Sequence, residues 1–469
     1  MKRIYSLITC FVLLALVTGT TAAGAQRQMP EGNIETQDSA PADTTFAHFF
    51  LQDPMTSTAW WHSHTIVDRS GGVHLTFYDS NYIYYAHCAA NCGDPANWLE
   101  LPLFADDSLA EPTLGVDASG HPRLMWYAEY SGYESSYYYA ECNDDCTASS
   151  ANWTSVDVVQ VNSYGYPHSV RYAALDNQDR PHLVYPKTNY PDYGFYYLTC
   201  EAGCTTASSW YTTTVTTPGL RPNVFQLVFD RYDRPRVLGY DDNANVLVYA
   251  ECNISCSTAA SWGSVGLFAP IYYLAEYPFA LRVDAQGSPR IAYYDGDADN
   301  NVLYYAWSNA SPLTVGGWSS YTLNYPTNDY WSLDLALDSQ GRPSVAYPTN
   351  IIEDTPDGLS YVTCTANCET ASPTWQQQFI ETSDDLEASY PIALNPDCVS
   401  SSWMVSGFPS LALDAENNPS VSYRVLHMQL CYDWQNHLKI LYDAQGIRFA
   451  TAGGTAQDNR RVYLPLVTR

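Results

Sequence analysis

Charge is scarce in this chain of 469 residues, and positive charge is scarcer still. Charged residues make up 15%, with 21 Lys plus Arg against 50 Asp plus Glu. The resulting formal charge of −29 repels phosphate backbones and anionic lipid surfaces, so nucleic acid is excluded as an expected partner. Long apolar runs are also missing beyond the N-terminus. No later stretch approaches the roughly 18 apolar residues of a membrane span. Gly-x-Ser-x-Gly, His-Glu-x-x-His and phosphate-loop motifs are all absent, so hydrolase or nucleotide chemistry has no motif to rest on. What the chain does hold is 46% apolar residues, 40 Tyr and 13 Trp. That is too apolar for a disordered chain, and too rich in Tyr, Thr, Ser and Val for a helical bundle.

Residues 1–25 have the three parts of an export signal: Lys2 and Arg3, an apolar run over 4–17, and the small residues Ala23-Gly24-Ala25. They are expected to be removed, which puts the mature protein outside the cell, secreted or on its surface. Residues 26–45 are polar and acidic with no periodic apolar face, and read as a flexible leader.

One unit then recurs seven times: an apolar strand ending in Asp, a turn, and a second strand ending in or near Tyr. The anchoring residues are Asp68, Asp117, Asp176, Asp230, Asp284, Asp338 and Asp414. Three positions later stand Gly71, Gly120, Asp179, Asp233, Gly287, Gly341 and Asn417, the residue types that best tolerate a left-handed backbone. A type I turn followed by one left-handed residue closes a tight hairpin. Two positions further, six units place Pro (Pro122, Pro181, Pro235, Pro289, Pro343, Pro419), which suits the first residue of a strand. An Asp recurring in every unit is read as a turn former, not as an acid or a metal ligand.

A third strand follows, and in five units it ends in a Cys-x-x-x-Cys pair: Cys88/Cys92, Cys142/Cys146, Cys200/Cys204, Cys252/Cys256 and Cys364/Cys368. The unit of Asp284 lacks both thiols, which argues that the two partner each other. By elimination Cys398 and Cys431 form a sixth bridge, expected to pin an insertion over 384–408 to the last unit. In an exported chain such pairs read as disulfides and not as zinc ligands. Each bridge closing so short a ring contributes only about 2 kcal/mol, a local staple. Trp98, Trp153, Trp210, Trp262, Trp318 and Trp375 open the fourth strand at nearly the same place in successive units, and read as packing between neighbours. The tryptophans off this pattern are Trp60, Trp61, Trp126, Trp307, Trp331, Trp403 and Trp434.

Four short strands per unit of about 54 residues, repeated seven times, predict an all-β fold. It is a seven-bladed β-propeller of four-stranded antiparallel blades over residues 46–452, with disulfides inside the blades and a tail over 453–469. Strands near 46–61 or 438–449 are expected to complete a shared blade. The Asp-x-x-Gly-x-Pro turn followed by an aliphatic-Tyr strand resembles the exported propellers of the sialidase-like, Asp-box-repeat superfamily, over roughly residues 46–450. Its Gly offset differs from the Ser/Thr-x-Asp-x-Gly-x-x-Trp box, and no Trp follows. The ending from Arg460-Arg461 to Arg469 resembles a short tail of exported bacterial proteins, and a sorting tag and a closing strand both stay open for it.

Propeller geometry puts the Asp turns and the Cys-x-x-x-Cys turns on one rim, and the remaining loops on the other. The first rim repeats and is structural; the second varies from unit to unit, and variable loops on a rigid scaffold are where binding sits. Leading into first strands it carries Trp61, His62, His64, His168, Phe225, Tyr277, Tyr330, Trp331 and Phe408. Between second and third strands it carries Asp79, Tyr130, Tyr133, Tyr190, Asp192, Tyr193, Asp241, Asp242, Asp295, Asp297, Asp299 and Asp354. Rings stack on the apolar face of a pyranose and carboxylates accept from its hydroxyls, so this rim is expected to bind a glycan or another cell-surface polymer.

Asp295, Asp297, Asp299 and Asn301 space oxygens like a calcium loop, so calcium is a candidate ligand there. Asn300, where such a loop wants Gly, and Ala306, where it wants Glu, point instead to a polar hairpin tip. His62 and His64 share a strand face without a third ligand nearby in sequence. For activity, the resemblance implies arginines converging on a substrate carboxylate, a Tyr nucleophile with its Glu, and an acidic proton donor. The family's Phe-Arg-Ile-Pro motif is absent, and Arg171, Arg221 and Arg282 are the only arginines near first strands. No catalytic residue is assigned: the expectation is non-catalytic recognition, with a sialidase-like hydrolase or a cell-envelope scaffold as alternatives.

Overall fold

Alternating strands separated by tight turns can bury both faces only by stacking sheet on sheet, and that is how the chain is built. The computed structural model describes residues 45–55, 60–79, 81–105, 109–130, 134–162, 171–187, 193–217, 219–222, 224–241, 243–268, 279–297, 300–323, 332–349, 357–432 and 437–452. All of these belong to one compact unit. The export signal, nearly all of the leader and the C-terminal tail lie outside the described residues.

Among the described residues, seven antiparallel sheets of four strands follow one another along the chain. The first strands are Trp60–Val67, Leu109–Val116, Ala173–Leu175, Val224–Phe229, Phe279–Val283, Asp334–Leu337 and Cys398–Leu413. Each contacts the first strand of the next sheet, and the last contacts the first, so the sheets close into a ring. The seventh blade is completed by the N-terminal strand Phe46–Phe50, which pairs along Leu438–Ala452 with Phe46 opposite Ala452. Both shared-blade candidates are therefore used, one against the other. The molecule is a seven-bladed β-propeller whose ends are fastened by strand pairing, leaving no frayed first or last blade.

The turns have the geometry their residues predict. In all seven, the anchoring carboxylate accepts the backbone N–H groups two and four residues on, as Asp68 does from Ser70 and Gly72. All seven residues expected to be left-handed have positive φ, from 58° at Asp233 to 87° at Gly71. All six prolines open a second strand. Where the left-handed residue is Asp or Asn, its side chain does something glycine cannot. Asp179, Asp233 and Asn417 each accept a backbone N–H from the turn of the preceding blade.

The six bridges join the expected partners: Cys88–Cys92, Cys142–Cys146, Cys200–Cys204, Cys252–Cys256, Cys364–Cys368 and Cys398–Cys431. The five short bridges lie inside their blades, as expected. Cys88, Cys142, Cys200, Cys252 and Cys364 are on third strands, but Cys92, Cys146, Cys204, Cys256 and Cys368 lie beyond them, in the turns that lead to the fourth strands. Each bridge thus fastens a turn to the end of its own blade. Cys398–Cys431 joins the stretch 384–408 to the last unit, as expected. These two residues face each other across neighbouring strands, Cys398–Leu413 and Pro419–Tyr432, at the far end of an elongated hairpin. Of residues 384–408, the early part forms the helix Ser383–Ser389 and the later part is strand. Thr382 caps that helix reciprocally with Asp385.

The periodic tryptophans bind the blades together. Indole N–H groups of Trp98, Trp153, Trp210 and Trp262 donate to the carbonyls of Cys92, Cys146, Cys204 and Cys256 of their own blades, at 2.9 to 3.0 Å. Trp153, Trp210, Trp262, Trp318 and Trp375 meet a tyrosine of the preceding blade edge-on, at centroid distances of 5.0 to 5.7 Å. Trp98 completes the circle on Phe449 of the seventh blade, at 4.7 Å. Such ring pairs contribute about 0.5–1.5 kcal/mol each beyond the area they bury.

Candidate functional site

A four-stranded blade leaves the N–H groups of its innermost strand without a ladder partner, and the channel side chains must supply acceptors. In four blades they come from one position, four residues before the anchoring Asp. There His64 accepts from Leu114 N–H, Gln226 from Leu281, Asp334 from Leu411 and Ser410 from Thr65, at 2.6 to 2.9 Å. In every case the donor is the residue three before the next blade's anchor. Repetition thus extends into the channel wall, in side chains that share no chemical type.

Toward the variable rim this regularity breaks in three consecutive blades. Register shifts interrupt the first strands between Trp60 and Ser63, between Ala110 and Thr113, and between Gly407 and Ser410. Glu111 and Phe408 lie inside two of these bulges with left-handed φ of 54° and 53°. Such a backbone is costly for residues with a Cβ, and bulges of this kind re-aim side chains. His62, in the third bulge, meets Phe408 edge-on at 4.6 Å, with Tyr78 nearly parallel on another side.

Several expected site residues are taken up by the fold. Asp79 accepts from Asn81 and Tyr82 N–H and from the Tyr84 hydroxyl. Asp241 accepts from the N–H groups of Asn243, Ala244 and Arg221. His64 is the buried inter-blade acceptor already described, its pKa held well below 6.5 by burial and then by Arg171. His62 and His64 contact different neighbours and do not converge on one point. Among the tryptophans off the pattern, Trp126 is sandwiched between Phe104 and Tyr138, and Trp403 donates to Tyr390 O at 2.7 Å. Trp61, Tyr130, Asp297 and Asn301 lie within strands. His168, Tyr190, Tyr277, Asp299, Tyr330 and Trp331 lie outside the described residues.

Two groups on the variable rim are not consumed. Asp295 is half-buried, has no hydrogen-bond partner among the described residues, and burial pushes its carboxyl up to about 6. Its strand pairs with the next as far as Asp297 opposite Asn300, so the backbone there is a hairpin. Arg221 is exposed, lies 4.1 Å over the ring of Tyr193, and pairs with no carboxylate among the described residues.

The arginines that could serve a sialidase-type site are placed otherwise. Arg171 and Arg282 do converge, but on Asp334, which Arg171 grips with both terminal nitrogens and Arg282 meets at 2.9 Å. Burial pushes the Asp334 carboxyl up, and the guanidinium of Arg171 pulls it down. The clamp spans blades three, five and six. A tyrosine–glutamate pair is present in Tyr423, donating to Glu381 at 2.6 Å, with Arg448 on the same carboxylate. Tyr423 and Arg448 are 0% exposed and Glu381 1%, so no substrate reaches that oxygen. Burial with the Glu381 charge raises the Tyr423 pKa well above 10, the reverse of activation.

Sequence reasoning missed Glu111, Asp334, Ser410 and Asp357. The signal for Asp334 and Ser410 was their fixed distance from the anchor. For Glu111 it was a charged residue beside Pro112 inside an otherwise apolar first strand. Asp357, where the sixth blade's third strand begins, accepts from Ser383 and is pushed up to about 6 by burial.

Fold and site together define a disulfide-stapled seven-bladed propeller with one repetitive and one individual rim. No family model matches the chain, and no curated protein does. Among solved structures it is similar to a mutant of the NanB sialidase from Streptococcus pneumoniae, at 11% identity and a TM-score of 0.44, covering 88% of this chain and 71% of that one. It is similar to the polysaccharide lyase Uly1 at 10% identity and a TM-score of 0.45, covering 90% and 94%. The leech intramolecular trans-sialidase gives 12% identity and a TM-score of 0.38, covering 86% and 69%. The propeller assignment itself stands on the seven sheets.

Proposed function

We propose that this is a secreted or cell-surface recognition protein, without catalysis of its own, that binds glycans or similar surface polymers on its variable rim. The observation that carries this reading is the Arg221–Tyr193 platform, an exposed cation over an aromatic ring on the variable rim. Asp295 adds an unengaged carboxyl on the same rim. A ring beside donors and an acceptor is suited to a pyranose and its hydroxyls. Trp61, Tyr130, His168, Tyr190, Tyr277, Tyr330 and Trp331 belong to the same proposal, as does calcium at Asp295, Asp297, Asp299 and Asn301. A glycan array run with and without calcium tests it. Retention of a glycan class, weakened at least tenfold by Arg221→Ala, Trp61→Ala or Trp331→Ala, is expected. An array without retained glycans, or variants that bind as the parent does, defeats the reading.

Two alternatives each have an observation in their favour. Asp295 and Asp357, with carboxyls near 6, are in the range of a general acid, which favours a glycoside hydrolase. Sugar released from a fluorogenic glycoside, and lost in Asp295→Asn, would select it. Leu438, Ile440 and Tyr442 are more than half exposed at the outer end of the seventh blade, which favours a cell-envelope scaffold.

A further inference from the structure

On the repetitive rim the first blade is the one that brings two histidines to its anchoring Asp. On this rim the second carboxylate oxygen of the anchoring Asp is met by donors four or six residues on. Arg180, Arg234, Arg342 and Asn418 reach it from the fourth position. Arg123, Arg236 and Arg290 reach it from the sixth, and His182 of the third blade meets it there at 3.1 Å. The first blade, like the seventh, has no arginine at either position. Its fourth position is Gly72, where an added Cβ would lie 2.8 Å from Asp68 Oδ2, so the space beside that oxygen is clear of side chain. Its sixth position is His74, whose Nε2 is 3.1 Å from Asp68 Oδ2. Directly across the strand pair from His74 is His87, where the second and fourth blades place Glu141 and Glu251 opposite an arginine.

We propose that Asp68 Oδ2, His74 Nε2 and a ring nitrogen of His87 bind a divalent transition metal of the zinc class, a cation standing where the second blade holds the guanidinium of Arg123. The three ligand atoms lie within 4.8 Å of one another. Zinc bonds of about 2.0–2.1 Å put tetrahedral ligands roughly 3.3 Å apart, so the Asp68–His74 spacing already suits one ion. Outer contacts orient the ligands. Asp68 Oδ1 is held by Ser70 and Gly72, which leaves Oδ2 aimed at the histidines. Tyr85 lies 2.7 Å from His74 Nδ1, so Nδ1–H can donate to its hydroxyl while Nε2 presents a lone pair to the metal. His87 and the Asp68 carboxylate are partly solvent-accessible, which gives the ion a way in. Two imidazoles and one carboxylate suit zinc better than calcium.

Metal-free full-length protein titrated with zinc chloride in a calorimeter tests this. One equivalent bound, together with a rise in Tm, is the expected result. His87→Ala should lower the affinity at least tenfold while the zinc-free Tm stays within a few degrees, because His87 is only half-buried. Cobalt(II) as a second probe should give the intense visible bands of a tetrahedral site in the parent and lose them in His87→Ala. Failure to bind zinc or cobalt, or binding that His87→Ala leaves unchanged, overturns the proposal. Glycan binding plays no part in either readout.

Discussion

The two rims of the ring are made from the same seven hairpins and differ in what repetition allows. On the turn rim, one carboxylate geometry is reproduced seven times while residue identities drift: Gly, Asp and Asn share the left-handed position, and Arg, His, Asn and Ser share the places around the anchor. On the loop rim, the backbone itself differs, with bulges in three blades and none of their residues shared. Backbone bonds therefore set the ring, and side chains are free to vary wherever they only decorate it. Individual residues become indispensable on the loop side, where no neighbouring blade repeats the contact.

The sharpest way to break that contrast is to remove Asp334. It is 2% exposed and holds Arg171, Arg282 and the N–H of Leu411, so one side chain ties four blades. Asp334→Ala leaves two guanidinium groups facing each other without a counter-charge. Losing one partner of a buried ion pair costs about 3–5 kcal/mol, and urea denaturation should report a loss of that size. A loss below about 1 kcal/mol would show that channel ties are as redundant as turn contacts.

Smaller in effect is the dependence on pH, which compares the two sides through their histidines. His64 in the channel wall and His182 on the turn rim both have pKa values lowered, first of all by burial. Below pH 6.5 the unfolded chain takes up protons that these folded imidazoles refuse, so stability falls as pH drops through the window beneath 6.5. Each contributes a slope of up to about 1.4 kcal/mol per pH unit. Asp295 and Asp357, raised to about 6, act in the opposite sense between roughly pH 4 and 6, where the folded state holds the extra proton. Thermal melts from pH 7 to 5 should therefore show falling Tm, and the fall should shrink in His64→Asn, which keeps an acceptor for Leu114 but does not titrate. An unchanged slope in that variant would show that His64 does not set the pH dependence.

Most of the fold was legible because its signals are local. Asp, then a left-handed residue, then Pro states the turn within six positions, and Cys-x-x-x-Cys states its bridge within five. What could not be read was whatever depends on a neighbouring blade. That Arg171 and Arg282 meet on Asp334 follows from contacts up to 163 residues apart that no spacing encodes. The platform of Arg221 on Tyr193 was half visible: both residues were noted, but their stacking joins two blades.

The disulfides give the smallest expected effect and the finest comparison, because the molecule already contains the control. The fifth blade has no bridge, yet Trp318 donates to Pro312 O at 2.8 Å, as Trp210 donates to Cys204 O at 2.9 Å. Its short helical turn Val315–Gly317 matches Ala207–Ser209 of the third blade. The folded turn therefore does not need the sulfurs, and a bridge acts on the unfolded chain by closing a ring over a sequence separation of 4. Replacing Cys200 and Cys204 together by Ser should cost less than about 2 kcal/mol and leave the Trp210 fluorescence maximum in place. A larger loss, or a red-shifted emission, would mean that the bridged blades fold by a different local logic from the fifth, and the equivalence of the seven turns would hold in geometry but not in energy.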